Sequence, residues 1–210
     1  MEGELHNLTN AQKDILKEIC NIGAGSSATA LAHLLNRKIS MNVPSVRILP
    51  FQQVPEVVGG AERQLVGVFL HVDGEAPCNI LFFLSVTSAK KFVDLVLNRA
   101  LGTTHELDKL NRSALEEIGN IISGSFLTAL SKVTGLNFVP SVPSLSIDMA
   151  GALLNIAVLA FGHFGDEALV IDTNFIDHER RLEGYYFLVP EPGSLTKILN
   201  SLGVTHDRSS

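Results

Sequence analysis

The chain has 210 residues, 46% of them hydrophobic, and a formal net charge of −6 at pH 7. That length allows one domain, or two closely fused halves, with a proper core. The acidic balance and the lack of any Lys/Arg cluster exclude a nucleic-acid surface, and no apolar run reaches the ~18 residues that a membrane span requires. The first ten residues, MEGELHNLTN, are acidic and polar, unlike a secretory leader. Cys20 and Cys78 stand apart, without a CxxC or histidine partner, as reduced thiols do. The expectation is a soluble cytoplasmic protein.

In chain order, a long helix is predicted over 8–35, with Thr9 as a plausible N-cap. Two strand-like runs follow, RQLVGVFLHV (63–72) and CNILFFLSV (78–86), joined by the turn DGEAP. A short helix is predicted at 88–98, and then the polar stretch GTTHELDKLN (102–111) reads as a linker. A second long helix spans about 109–134. SLSIDMAGALLNIAV (144–158) reads as a short amphipathic helix, 168–175 and 183–190 as strands, and 193–202 as a closing helix. Short turns between adjacent strands favour antiparallel hairpins over crossovers. The predicted class is therefore α+β: one mainly antiparallel sheet built from both halves, with the two long helices packed on it and related by a pseudo-twofold.

That symmetry rests on an internal repeat. Residues 14–45 aligned without gaps on 113–144 give thirteen identities, each separated by ninety-nine positions. They include Leu16, Glu18, Ile19, Asn21, Gly25, Thr29 and Pro44 in the first copy, matched by Leu115, Glu117, Ile118, Asn120, Gly124, Thr128 and Pro143 in the second. The chain reads as a tandem duplication with halves at about 8–101 and 107–204.

At 100° per residue, Asp14, Glu18, Asn21 and Gly25 fall in one narrow stripe, and Leu16, Ile19, Gly23, Ala30 and Leu34 oppose it. In the second helix Ser113, Glu117, Asn120 and Gly124 share a stripe opposite Leu115, Ile118, Ile122, Ala129 and Val133. Each helix is expected to bury its aliphatic side and turn the Glu–Asn pair outward. A solvated Glu and Asn need no function, and a duplicated half inherits its surface. Yet neighbours on these helices have diverged (Lys17 to Glu116, Ala24 to Ser123, His33 to Lys132), whereas Glu, Asn, Gly and Pro are written twice. A glycine on an exposed stripe also removes bulk where another molecule approaches.

Asparagine cannot serve as a general base; it donates and accepts hydrogen bonds, while glutamate accepts from a cation. No nucleophile elbow, P-loop or Ser/His/Asp spacing is present, and the seven histidines (His6, His33, His71, His105, His163, His178, His206) lack metal-ligand spacing. A Glu-x-x-Asn pair of this kind must borrow its reactive group from a partner.

The pattern Asp/Ser-x-x-x-Glu-x-x-Asn, followed by twenty-two residues and Pro, occurs as Asp14, Glu18, Asn21, Pro44 and again as Ser113, Glu117, Asn120, Pro143. It resembles the CheC/CheX/FliY family of chemotaxis phosphatases over essentially the whole chain. Two motifs with no appended flagellar-switch domain are most similar to CheC-type members. The resemblance implies hydrolysis of the aspartyl phosphate of a CheY-type response regulator. Asn21 and Asn120 would orient the attacking water, and Glu18 and Glu117 would pair with the regulator's lysine. Asp14, Ser113, Gly25 and Gly124 would lie in the binding face. It implies no cofactor or metal of the chain's own, Mg²⁺ being held by the regulator. It also implies docking of the receptor deamidase CheD on the 144–158 segment, with Asp148 as a contact; a helix N-cap is the plainer role for that residue. A non-catalytic adaptor binding CheD and the regulator is the alternative, and a flagellar-switch component a third reading. A monomer is expected, since the duplication already supplies a pseudo-dimer.

Overall fold

A computed structural model describes residues 8–36, 39–42, 46–161, 167–177 and 180–204. The first helix, α1 (Asn10–Leu35), starts at a capping box: the Thr9 side chain accepts from the Gln12 amide, and the Gln12 side chain accepts from the Thr9 amide at 2.8 Å. Its counterpart α4 (Lys109–Thr134) starts at Asp108, which accepts from the Asn111 amide at 2.8 Å. Both helices end in a left-handed residue, Asn36 in α1 and Gly135 in α4. The caps therefore repeat at the same ninety-nine-residue offset as the motifs.

Among the described residues eight strands form one sheet: β1 (Ile39–Asn42), β2 (Val46–Pro50), β3 (Gln64–Gly74), β4 (Cys78–Ser85), β5 (Phe138–Pro140), β6 (Ser144–Met149), β7 (Glu167–Asp177) and β8 (Arg180–Pro190). Their order is β1-β7-β8-β4-β3-β5, with β2 also on β7 and β6 also on β3, and every pairing is antiparallel. The middle pair, β4 with β8, joins the two halves. The outer strands are exchanged: β1 and β2 lie on the second half's β7, and β5 and β6 on the first half's β3. Neither half is a complete sheet on its own.

One face is covered by α1, α4, α3 (Val86–Val96) and α6 (Ser194–Ser201), packed on Val66, Val68, Leu70, Ile80, Phe82 and Tyr186. The other face carries α2 (Val54–Val57) and α5 (Ala150–Phe161), packed on Leu65, Phe69, Leu81, Phe83 and Phe187. Burial on both sides explains why β3 and β4 read as continuous apolar runs rather than alternating ones. Among the described residues no helix is long and apolar enough to cross a membrane.

Two sequence expectations need correction. The segment 144–158 is not one helix, because residues 144–149 form β6, in register from Ser144 opposite Phe69 to Met149 opposite Gln64. A ladder to β3 satisfies that backbone, and Leu145, Ile147 and Met149 alternate with Ser144, Ser146 and Asp148 as a strand requires. The opposing faces of the long helices also drift. The buried rows run Gly23, Ser27, Leu31, Leu35 and Ile122, Phe126, Leu130, Thr134. A four-residue step advances ~40° around the helix, so Leu34 and Val133 turn out to solvent at 39% and 38% exposure.

Where α1 meets α4, small residues face large ones. A Cβ on Gly23 would stand 2.4 Å from the Phe126 ring. Ser27 donates to the Ile122 carbonyl at 2.8 Å, linking the helices. Gly119 in turn lets α4 close on the sheet, since a Cβ there would come within 2.6 Å of Val68. Between the halves, buried Asp94 of α3 anchors the linker by accepting from the Gly102 amide (2.7 Å), the Thr104 amide (3.0 Å) and the Thr103 hydroxyl (3.1 Å). Burial alone would raise the Asp94 pKa; these bonds and one from the Thr104 hydroxyl outweigh it and hold the carboxyl below its ordinary value.

Gly23→Ala is expected to destabilise the fold by about 1–3 kcal/mol through overpacking against Phe126. Gly25→Ala, which meets nothing within 4 Å, should stabilise it by up to ~1 kcal/mol; urea midpoints compare the two. Asp94→Ala should cost about 2 kcal/mol at neutral pH by leaving linker donors unpaired. Because the folded carboxyl titrates below the unfolded one, its contribution is present above the unfolded pKa and is lost as pH falls through the folded value. The gap between wild type and variant should therefore narrow in acid, as measured by urea unfolding across that range.

Candidate functional site

Asp14, Glu18, Asn21 and Gly25 are all exposed on α1, and Ser113, Glu117 and Asn120 are exposed on α4, with Gly124 half-buried. The residues between them explain the arrangement. Leu16, Ile19, Cys20 and Gly23 anchor one side of α1, and Leu115, Ile118, Gly119 and Ile122 anchor α4. With its inner face committed, each helix has no freedom to rotate its stripe away from solvent. Glu and Asn three apart lie one turn from each other, separated by a rise of about 4.5 Å.

Among the described residues, none of Glu18, Asn21, Glu117 and Asn120 has a side-chain hydrogen-bond or ion-pair partner. That leaves a carboxylate and an amide available on each helix. The glycines beside them divide into two kinds. Gly23 and Gly119 are required by packing, whereas a Cβ on Gly25 or Gly124 would meet nothing within 4 Å. Among the described residues no contact requires a glycine at either stripe position.

The repeat also contains a pair of bonds that side-chain chemistry alone did not single out. Thr29 donates to the Gly25 carbonyl at 2.9 Å, and Thr128 donates to the Gly124 carbonyl at 2.7 Å. Both threonines are exposed. Their signal in the sequence was their presence among the thirteen repeated identities.

Other candidate chemistry is missing from these faces. Cys20 lies between Glu18 and Asn21 in sequence but points inward, and burial pushes its thiol up to about 12, which keeps it from acting as a nucleophile. His71 is on β3, with its ring nitrogens 2.9 Å from Asn79 Oδ1 and 3.2 Å from Asp73 Oδ1, and the Asn79 bond foremost holds its pKa above the ordinary value. His33 and His105 are exposed. His6, His163, His178 and His206 lie outside the described residues, as does Pro44. Pro143 immediately precedes β6. Among the described residues no group of three or more His, Cys, Asp or Glu side chains is placed to hold a metal ion.

Asp148 stands apart from both stripes. It is the penultimate residue of β6, opposite Leu65, exposed, and its Oδ1 accepts from the Met149 amide at 2.8 Å. It thus sits on a strand just ahead of α5. Along α5 itself Ile156, Val158 and Leu159 are exposed, Leu159 at 85%.

The profile of the CheC-like family matches the chain twice, at residues 12–48 and 110–147, once around each Glu–Asn pair. The chain is 36% identical to the CheY-P phosphatase CheC of Bacillus subtilis over 95% of its own length and 98% of that protein. It is 29% identical to the flagellar motor switch phosphatase FliY of the same organism, over 69% of this chain and 38% of that longer one. Among solved structures, Thermotoga maritima FliY superposes with a TM-score of 0.78 at 23% identity, covering 95% of this chain and 100% of that one, which establishes the shared fold.

Proposed function

The chain belongs to the CheC-like family, and from that premise we propose that it is a phosphatase of phosphorylated CheY-type response regulators. Each long helix offers one Glu–Asn pair to the regulator's phosphorylation site. The observation that carries this reading is the unpartnered, outward Glu-x-x-Asn stripe written on both α1 and α4. It stands in a chain similar from end to end to a protein named as a CheY-P phosphatase.

The chemistry asks little of this chain beyond position. Phosphoryl transfer depends on in-line geometry and on charge stabilisation. The regulator supplies the aspartyl phosphate, its Mg²⁺ and a lysine, so this chain needs no metal or cofactor of its own. Asn21 or Asn120 holds a water in line through its side-chain amide. The water oxygen bonds to phosphorus as the bond from phosphorus to the aspartyl oxygen breaks, releasing inorganic phosphate and the free carboxylate. Glu18 or Glu117 pairs with the regulator's lysine and sets the docking register. Gly25 and Gly124 leave room for the regulator's backbone, and Asp14 and Ser113 border the contact at its N-terminal side. Retention of the asparagine in both motifs supports catalysis over a purely adaptor role, for which a water-orienting amide is unnecessary. We place the protein in the cytoplasm as a monomer.

A second contact is supported by α5. Its exposed Ile156, Val158 and Leu159 follow directly on Asp148, and this apolar surface, on the sheet face opposite α1 and α4, is our site for CheD. The opposition of the two faces lets both partners bind together.

Regulator phosphorylated with a small phosphodonor should lose its phosphate faster in the presence of this protein. Asn21→Ala combined with Asn120→Ala should reduce that acceleration by about 10²-fold while regulator binding persists; undiminished decay would refute the catalytic roles. Leu159→Glu should abolish co-elution with purified CheD and leave phosphatase activity unchanged.

A further inference from the structure

The exposed face of α4 continues past Gly124 into an open groove of about 330 Å³. Gly124, Thr128, Ser131 and Lys132 form its α4 wall, and Phe138 and Pro140 of β5 the other. The hydroxyls in that wall are already engaged. Thr128 donates to the Gly124 carbonyl, and Ser131 to the Leu136 carbonyl at 2.6 Å. What the groove offers a visitor is therefore a mixed lining: apolar surface from Leu127, Phe138 and Pro140, hydroxyl oxygens that can still accept, and one ammonium, Lys132, at its edge. No carboxylate lines it.

The groove adjoins the second Glu–Asn pair. Asn120 lies one turn before Gly124, and Glu117 and Lys132 are separated along the helix by roughly 22 Å. The ridge of α4 thus carries a negative group at one end and a positive one at the other. We propose that this groove is an additional docking site for the phosphorylated regulator. It receives an apolar side chain from the regulator's surface, with a neighbouring acidic residue paired to Lys132. The inference rests on the reading of α4 as the helix that meets the regulator, and charge complementarity selects the occupant. A partner that sets a lysine on Glu117 and an acid on Lys132 can dock in only one direction along the ridge.

The first half is built differently at the corresponding positions. Ala28, Ala32 and His33 stand where Leu127, Ser131 and Lys132 stand in the second. The contact therefore belongs to the α4 site and makes the two sites unequal in how they hold the regulator, without altering either Glu–Asn pair.

The test uses the full chain with Asn21→Ala, in which only the second site turns over, and follows decay of the phosphorylated regulator at several concentrations. Lys132→Glu should raise KM on the order of fivefold with kcat unchanged, as loss and reversal of a rim charge does. Lys132→Arg should restore it, and Thr128→Trp, which fills the groove, should raise KM as well. Circular dichroism checks that each variant is folded. An unchanged KM in both Lys132→Glu and Thr128→Trp overturns the groove while leaving the phosphatase reading intact. An equal rise with Asn120→Ala in place of Asn21→Ala, where only the first site works, traces the effect to net charge and overturns it too. If Asn120→Ala has no effect on second-site turnover, the phosphatase reading fails first and the groove falls with it.

Discussion

The close approach of α1 and α4 governs the rest of the structure. It is possible because α1 offers small residues where α4 brings large ones, Gly23 beneath Phe126 and Ser27 against the Ile122 carbonyl. In the repeat these four positions are two pairs, Gly23 matching Ile122 and Ser27 matching Phe126. An exact copy would place large against large or small against small. The halves have diverged where symmetry would have produced a clash or a void, since overpacking and cavities both destabilise a core. With that contact fixed, the azimuth of each helix is fixed, and so is the direction in which its Glu and Asn point.

Much of this was legible in the sequence, for reasons that differ by element. The long helices announce themselves through the cap at Thr9 and a 3.6-residue apolar period sustained over seven turns, whereas the matching cap at Asp108 emerges only from the structure. The outward stripe follows from the same period, since Glu18, Asn21 and Gly25 fall together however the helix is packed. The short outer strands were not legible. β1, β2 and β5 have three to five residues each, and they are strands because β3 and β7 offer them a ladder, not because of local preference. β6 departs from the sequence reading for a different reason: Leu145, Ile147 and Met149 alternate with Ser144, Ser146 and Asp148 as a strand does, and that reading extends the helical run that starts at Ala150 back across them. The second helical layer was also hidden. The unbroken apolar runs of β3 and β4 carried its signal, since a sheet open to water on one face alternates. The groove beside Gly124 could not be anticipated, because Phe138 and Pro140 reach it from another element.

The two stripes are alike in the residues that would face a regulator's active site and unlike around them. Lys17 becomes Glu116, Asp14 becomes Ser113 and His33 becomes Lys132. Charge at such rim positions alters encounter and orientation more than chemistry. The repeat keeps one Glu–Asn arrangement within two electrostatic surroundings.

The exchange of outer strands gives the chain an order of assembly that its symmetry conceals. β1 and β2 are made early, yet their partner β7 lies about 125 residues further on, Val46 being opposite Ile171. At ribosomal speeds of ~5–20 residues per second this is a wait of roughly 6–25 s. β5 and β6 wait for nothing, because β3 already stands in a hairpin with β4 when they emerge. Two edges equivalent in the finished sheet are thus closed at different times. During that interval the newborn chain holds α1 and two unpaired strands ahead of a hairpin that still lacks its central neighbour. Its most vulnerable moment comes before β7 and β8 arrive, which is when a chaperone would find it.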